Sequence, residues 1–217
     1  MSVASTVRIP KEITYATRQI AVRDPDMAVC IARVGPCLIR PGLGDYFSAL
    51  VRAIAYQQLA GKAAMAIHGR FVQSIGGGVT PEAVMATPEA ALRAAGMSAA
   101  KTASIRDLAA KVLDGTVPLD GIEGYSDEEI IERLVLVRGI GRWTAEMFLL
   151  FELRRLDVWP VDDFAVRKGY ARIHQLAEPP SPRELATLGD TYRPWRSVAA
   201  WYCWRGSETT FLPESPA

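Results

Sequence analysis

What constrains this chain most is how often it announces the start of a helix and how rarely it offers a strand. Thr80-Pro81-Glu82 and Thr87-Pro88-Glu89 each read as a capping threonine followed by proline at the first helical position, where the missing proline N–H is no loss. Ser126-Asp127-Glu128-Glu129 and Ser181-Pro182-Arg183-Glu184 fit the reciprocal capping box, in which serine and glutamate satisfy each other's backbone donors. Asp45 is placed to cap a segment over 45–59 that sets Phe47, Leu50, Val51 and Ile54 on one face at helical spacing. Gly96-Met97-Ser98 precedes a further helix carrying Ile105, Leu108, Ala109 and Val112. The best strand candidate, Val158-Trp159-Pro160-Val161, is short and broken by proline. Turns are expected at Gly76-Gly77-Gly78, from Pro118 to Gly124 and at Pro179-Pro180, and the tail after Gly206 is expected to fray. The predicted fold class is all-α.

The chain has 217 residues, 49% hydrophobic and 23% charged, a size that suits one large domain or two small lobes sharing a cleft. No apolar run approaches the ~18 residues of a membrane span. The opening residues, Met1 to Pro10, lack a signal-type apolar core, so the expected location is the cytoplasm. Cys30, Cys37 and Cys203 are too few for a disulfide scaffold or a four-thiolate cluster, and are expected as free thiols. A net charge of +1 does not announce a polyanionic partner, so any basic footprint has to be local.

Residues 134–150 hold the most specific local pattern. A helix is expected to run to about Val137; Gly139 and Gly141 then allow a tight turn with Ile140 as an apolar plug, and a second helix starts near Arg142. Two glycines let the backbone approach a ligand closely and leave amide groups open at the second helix's start. Such amides with the helix dipole make a phosphate site that needs few basic side chains, in keeping with the low net charge. Gly-x-Gly alone also fits an ordinary helical corner; the longer string Val-x-Gly-Ile-Gly-x-x-Thr-Ala is much more restrictive.

That string resembles the helix-hairpin-helix of the base-excision DNA glycosylases. The downstream Asp157-Val158-Trp159-Pro160-Val161-Asp162-Asp163-Phe164 resembles the loop and aspartate that complete the superfamily's signature. Phe47 to Ala64 resembles its DNA-wedge segment, Leu92 to Ser98 with Lys101 its next helix junction, and Arg193 to Ser197 its last helix. The resemblance covers roughly residues 20 to 206 and points to the DNA-3-methyladenine glycosylase II family, in the compact form without the N-terminal β-domain. It implies two helical lobes around a DNA-binding cleft within a single domain over 1–217. One lobe would hold about 1–45 and 165–217, the other about 46–164.

The resemblance also implies roles for residues. Glycosidic cleavage builds oxocarbenium character at the sugar, which a carboxylate stabilises while orienting or deprotonating water. Asp163 takes the family's catalytic place; its neighbour Asp162 would cap or hold the loop. Trp143 stands where strand-cutting members carry a lysine for Schiff-base chemistry, so a monofunctional enzyme without lyase activity is expected. Trp143, Met147, Phe164 and Trp204 are placed around the base pocket, where aromatic faces attract cationic alkylpurines by ~0.5–2 kcal/mol per contact; aromatics at such spacing are also ordinary core. Met147 and Arg205 stand where the long bacterial members have aromatics. Gln58 would fill the gap left by an extruded base, Leu59 would be an apolar wedge or core, and Gln57 would reach the minor groove. Gly139, Ile140, Gly141 and Thr144 would face the DNA backbone, and Arg138 would add a phosphate contact or simply face solvent. The main-chain carbonyls of Val135, Val137 and Gly139 would hold a monovalent cation (sodium or potassium), with no other cofactor required.

The expected function is excision of alkylated purines, of the 3-methyladenine and 7-methylguanine type, from double-stranded DNA. The expected partner is damaged duplex, with no membrane contact; the protein would be a monomer, cytoplasmic and nucleoid-associated. The alternatives are a non-catalytic helix-hairpin-helix module that binds DNA or senses damage, and an unrelated helical enzyme.

Overall fold

The computed structural model describes residues 9–39, 45–59 and 61–208. Among them it contains no strand, and no helix is long and apolar enough to cross a membrane. The chain divides into two compact units, Met1–Arg40 with Arg155–Ala217, and Pro41–Arg154. We refer to them as the terminal and the central unit.

The terminal unit begins with α1 (Lys11–Arg23) and α2 (Pro25–Val34). The central unit contains α3 (Tyr46–Tyr56), α4 (Gly61–Ser74), α5 (Pro81–Ala86), α6 (Glu89–Ala94), α7 (Ala99–Leu113), α8 (Asp127–Leu134) and α9 (Arg142–Phe151). The terminal unit resumes with α10 (Phe164–Ile173), α11 (Pro182–Leu188) and α12 (Arg196–Glu208). The expected fraying after Gly206 therefore falls mainly outside the described residues, as does most of the Met1–Pro10 segment.

Most predicted starts are realised. Asp45 accepts the Ser48 amide at 2.9 Å, and Thr80 and Ser98 cap α5 and α7 through the third residue on. Both capping boxes form, at Ser126/Glu129 and Ser181/Glu184. Thr87 is the exception. Its hydroxyl donates back to the Ala83 carbonyl at 2.8 Å and closes α5, so Pro88 is left to begin α6 with no side-chain cap. Thr87 sits one residue too early to cap a helix that starts at Glu89.

Apolar positions at helical spacing meet as expected. In the central unit Leu50, Ile54, Phe71, Leu92, Ile105, Leu108 and Ile130 are fully buried, each contributing ~1.5–3 kcal/mol of transfer free energy. In the terminal unit α10 lies hard against α12. A Cβ on Gly169 would fall 1.7 Å from the Cys203 carbonyl oxygen, so only glycine permits this approach. Cys30, Cys37 and Cys203 are free and buried. Burial pushes the Cys30 and Cys37 thiols up to about 12, which keeps them protonated and poor nucleophiles.

The unit boundaries differ from those expected. The second falls at 154/155 and not near 164, so Asp163 and Phe164 belong to the terminal unit. The reason is hydrogen bonding along the intervening loop. Asp157 is held by Arg193 and Arg196, the Val158 amide donates to Ser197 Oγ at 2.9 Å, and the Trp159 indole donates to the Leu185 carbonyl at 2.8 Å. Trp159 also lies against Gly189, where a Cβ would come within 2.3 Å of the indole nitrogen.

Candidate active site and DNA-facing elements

In the terminal unit the anchored loop delivers Asp163 to the start of α10. The Asp163 amide donates to the Pro160 carbonyl at 3.1 Å. Its carboxylate Oδ1 accepts from the Ala165 and Val166 amides at 2.8 and 3.0 Å. The residue is 8% exposed. Two backbone donors on one oxygen fix the carboxylate plane, so its orientation is set before any ligand arrives. Asp162 is exposed, and the cap is Asp163 alone; the expected capping role of Asp162 is not what the structure shows.

Phe164, the first residue of α10, is 62% exposed. The Arg167 guanidinium lies 5.8 Å from its ring centroid, and Arg167 is anchored on the Pro180 carbonyl. Trp204 is half-buried on α12, the helix that packs against α10.

In the central unit Trp143 and Met147 lie one turn apart on α9. Trp143 is 46% exposed, and Met147 is half-buried in a recess of about 210 Å³ between α3 and α9, lined also by Ala49, Ala53, Thr144 and Phe151. Thr144, expected at the DNA backbone, is buried and lines this recess.

The hairpin departs from expectation in three ways. First, α8 stops at Leu134 and the chain turns from Val135. Second, only one glycine is demanded by the fold. Gly139 has φ +77°, and a Cβ there would lie 2.7 Å from Ser104 Oγ. Gly141 has φ −95°, an ordinary extended value, and a Cβ there would meet nothing within 4 Å. Third, although Ile140 is the apolar plug expected, its side chain is buried and its amide donates to the Val137 carbonyl at 3.0 Å, so neither faces outward. Gly139, Gly141 and Arg138 are exposed. Gly141 offers no side-chain cap to α9, so the first-turn amides are not taken by one. Arg142 braces this start by a bidentate pair with Glu128 at 2.9 Å and a bond to Glu146 at 3.2 Å.

The predicted wedge is a tight turn after α3. Gln58 is exposed with φ +57°, and Leu59 is 38% exposed. Gln57, expected to reach the minor groove, donates its side-chain nitrogen to the Gly139 carbonyl at 3.0 Å. Gly139 and Val137, two of the three carbonyls expected to hold a cation, thus each already accept one hydrogen bond.

Several cations that could have met phosphate face inward. Lys101 donates to the Ala55 and Gln57 carbonyls at 2.7 Å each, and Arg106 donates to the carbonyls of Val84 and Thr87. Burial depresses the Lys101 ammonium below the ordinary lysine range. Nothing in the local sequence signals these bonds, because they join residues 19 to 46 apart.

Comparison with known proteins agrees with this arrangement. A family model described as HhH-GPD superfamily base excision DNA repair protein matches residues 51–194. DNA-3-methyladenine glycosylase 1 of Schizosaccharomyces pombe is 41% identical over 165 residues, 75% of this chain and 72% of the relative. Alkylbase DNA glycosidase-like protein mag2 of the same yeast is 30% identical over 195 residues, covering 88% and 92%. Among solved structures, the S. pombe 3-methyladenine DNA glycosylase in complex with abasic DNA superposes with a TM-score of 0.80 at 35% identity, covering 92% of this chain and all of that one. A DNA-3-methyladenine glycosidase from Bacillus halodurans gives 0.82 at 34% identity, covering 89% of each chain.

Proposed function

Given that this chain belongs to the HhH-GPD superfamily of base excision DNA repair proteins, we propose that it is a DNA-3-methyladenine glycosylase that extrudes alkylated purines from duplex DNA and hydrolyses their glycosidic bonds. The observation that carries this reading is Asp163, a buried carboxylate aimed by two α10 amides; the resemblance gives this residue the family's catalytic role.

The chemistry follows from charge. As the C1′–N bond breaks, its electron pair passes to the purine, and an N-alkylated cationic purine leaves neutral. Positive charge builds at C1′ and O4′, and the fixed Asp163 carboxylate stabilises it without reorganising. Water then adds its oxygen to C1′ and gives up a proton, for which Asp163 is the proposed acceptor. In the terminal unit, the exposed Phe164 ring and Trp204 are the proposed contacts for the electron-poor base; in the central unit, Trp143 and Met147 are the residues to which the resemblance gives that role. A cationic base on Phe164 would share that ring with Arg167.

Tryptophan at 143 supplies no amine, so the proposed enzyme leaves an abasic site and does not cut the strand. Borohydride trapping on substrate DNA checks this, with no covalent adduct expected. Measuring free base released from methylated duplex tests the whole reading; binding without release would favour the non-catalytic module. Three main-chain oxygens, of Val135, Val137 and Gly139, suit a hard monovalent cation, and each bonded carbonyl keeps a second lone pair. Such an ion would add positive charge beside a docked phosphate. We further propose a monomer acting on chromosomal DNA in the cytoplasm.

A further inference from the structure

One helix of the central unit holds both elements assigned to DNA. Lys101, Ser104 and Asp107 recur at three-residue steps along α7, which brings them to one side of the helix. Lys101 reaches the turn after α3, with its ammonium on the carbonyls of Ala55 and Gln57. Ser104 is the residue against which Gly139 closes. Asp107 accepts the Arg138 amide at 2.7 Å and is paired with Lys111. Burial alone would raise the Asp107 carboxyl; the Arg138 amide and the Lys111 ammonium outweigh it and hold it below the usual carboxylate range. Gln57 closes the circuit, since the residue whose carbonyl Lys101 grips also donates to Gly139.

The strained member of this set is Gln58. A non-glycine residue at φ +57° is uncommon and persists where its surroundings over-determine it. Here the preceding carbonyl is clamped by an ammonium and the preceding side chain by the hairpin.

The geometry points to α7 as a ruler, with Lys101 and Gln57 as positioning residues that hold the Gln58-Leu59 turn at a set distance from the hairpin. Six residues of helix separate Lys101 from Asp107, about 9 Å along the axis. Backbone docking at the hairpin then places the turn where it enters the base stack, and the extrusion geometry needs no loop ordering. This rests on the reading of that turn as the wedge.

The test uses the full chain in single-turnover release of an alkylated purine, placed either opposite its pairing partner or in an unpaired bulge. The ratio of the two rates reads extrusion and cancels any general loss of folded protein. Lys101→Met keeps the aliphatic stem but removes the ammonium. It is expected to depress the paired rate relative to the bulged rate by about 10- to 100-fold, the scale of a small misplacement. Gln57→Met cuts the bond to Gly139 with Lys101 in place, is expected to move the ratio the same way, and carries the test if Lys101→Met does not fold. An unchanged ratio in either folded variant overturns the positioning role of that residue. The double variant Gln58→Ala/Leu59→Ala tests the premise. If it leaves the ratio unchanged, the turn is no wedge and the proposal falls with that reading; if it moves the ratio while Lys101→Met and Gln57→Met do not, only the proposal falls.

Discussion

Helices α9 and α10 are each ten residues long and each follows a sharp loop, but they begin in opposite ways. The start of α9 is Gly141, which provides no side-chain cap. The start of α10 is Asp163, whose carboxylate takes two amides of its own helix. One N-terminus has no side-chain cap; the other is capped by a carboxylate. On the proposed reading, a nearly neutral protein would address a polyanion at one such start and a developing cation at the other. Glycine at 141 has no internal reason: its backbone is ordinary and space around it is open. On the proposed reading, the bare backbone there leaves room for a docked phosphate.

The largest expected effect breaks the comparison on the α10 side. Asp163→Asn keeps a capping oxygen, since asparagine caps as well as aspartate, but removes the charge. Base release should fall by about 10²-fold or more, with duplex affinity and thermal stability little changed. Single-turnover excision with a parallel binding titration checks this, and near-normal turnover would contradict the catalytic assignment. The exposed Asp162→Asn serves as the neighbouring control and should leave turnover near normal.

Next, α9 can be given the start that α10 has. Gly141→Asp should cap the helix and set a carboxylate where phosphate is proposed to dock. Affinity for damaged and undamaged duplex should drop alike, by about tenfold or more, because like charges are brought together at a contact that does not read sequence. Gly141→Val should weaken binding by bulk while staying folded by circular dichroism. Full affinity in either folded variant would move phosphate docking to another surface.

The two hairpin glycines should then separate by stability alone. Gly139→Ala places a Cβ against Ser104 at a left-handed backbone, and should cost about 1–3 kcal/mol. Gly141→Ala should be near neutral. Urea denaturation monitored by tryptophan fluorescence measures both, and equal losses would contradict the open space around 141. The smallest effect sets the scale for an ordinary cap: Ser126→Ala, which dismantles a capping box on α8, should lose about 1 kcal/mol in the same assay with no change in excision per folded molecule.

Both helix starts are legible in the sequence, because caps, proline positions and the glycine pair act within four residues. The fold class is legible for the same reason. What escapes is the wiring between distant segments. The Gln57–Gly139 bond spans 82 residues, Lys101–Gln57 spans 44 and Arg138–Asp107 spans 31. Periodicity carries no trace of such pairs. A lysine that closes a buried turn and a lysine that meets a phosphate look identical in a string of letters. The boundary near 154 leaves no local mark either, because the anchors of the 155–163 loop, Arg193, Arg196 and Ser197, lie on the far side of two intervening helices in the chain.

The terminal unit is assembled from both ends of the sequence. Asp24 is bonded to Tyr192 and the Cys30 thiol to the Tyr202 carbonyl, pairs 168 and 172 residues apart. On the ribosome, the central unit is therefore finished first, and its hairpin and wedge turn can form while the segment carrying Asp163 still awaits α12. In order of synthesis, the proposed docking elements are thus made before the segments that anchor the proposed catalytic carboxylate.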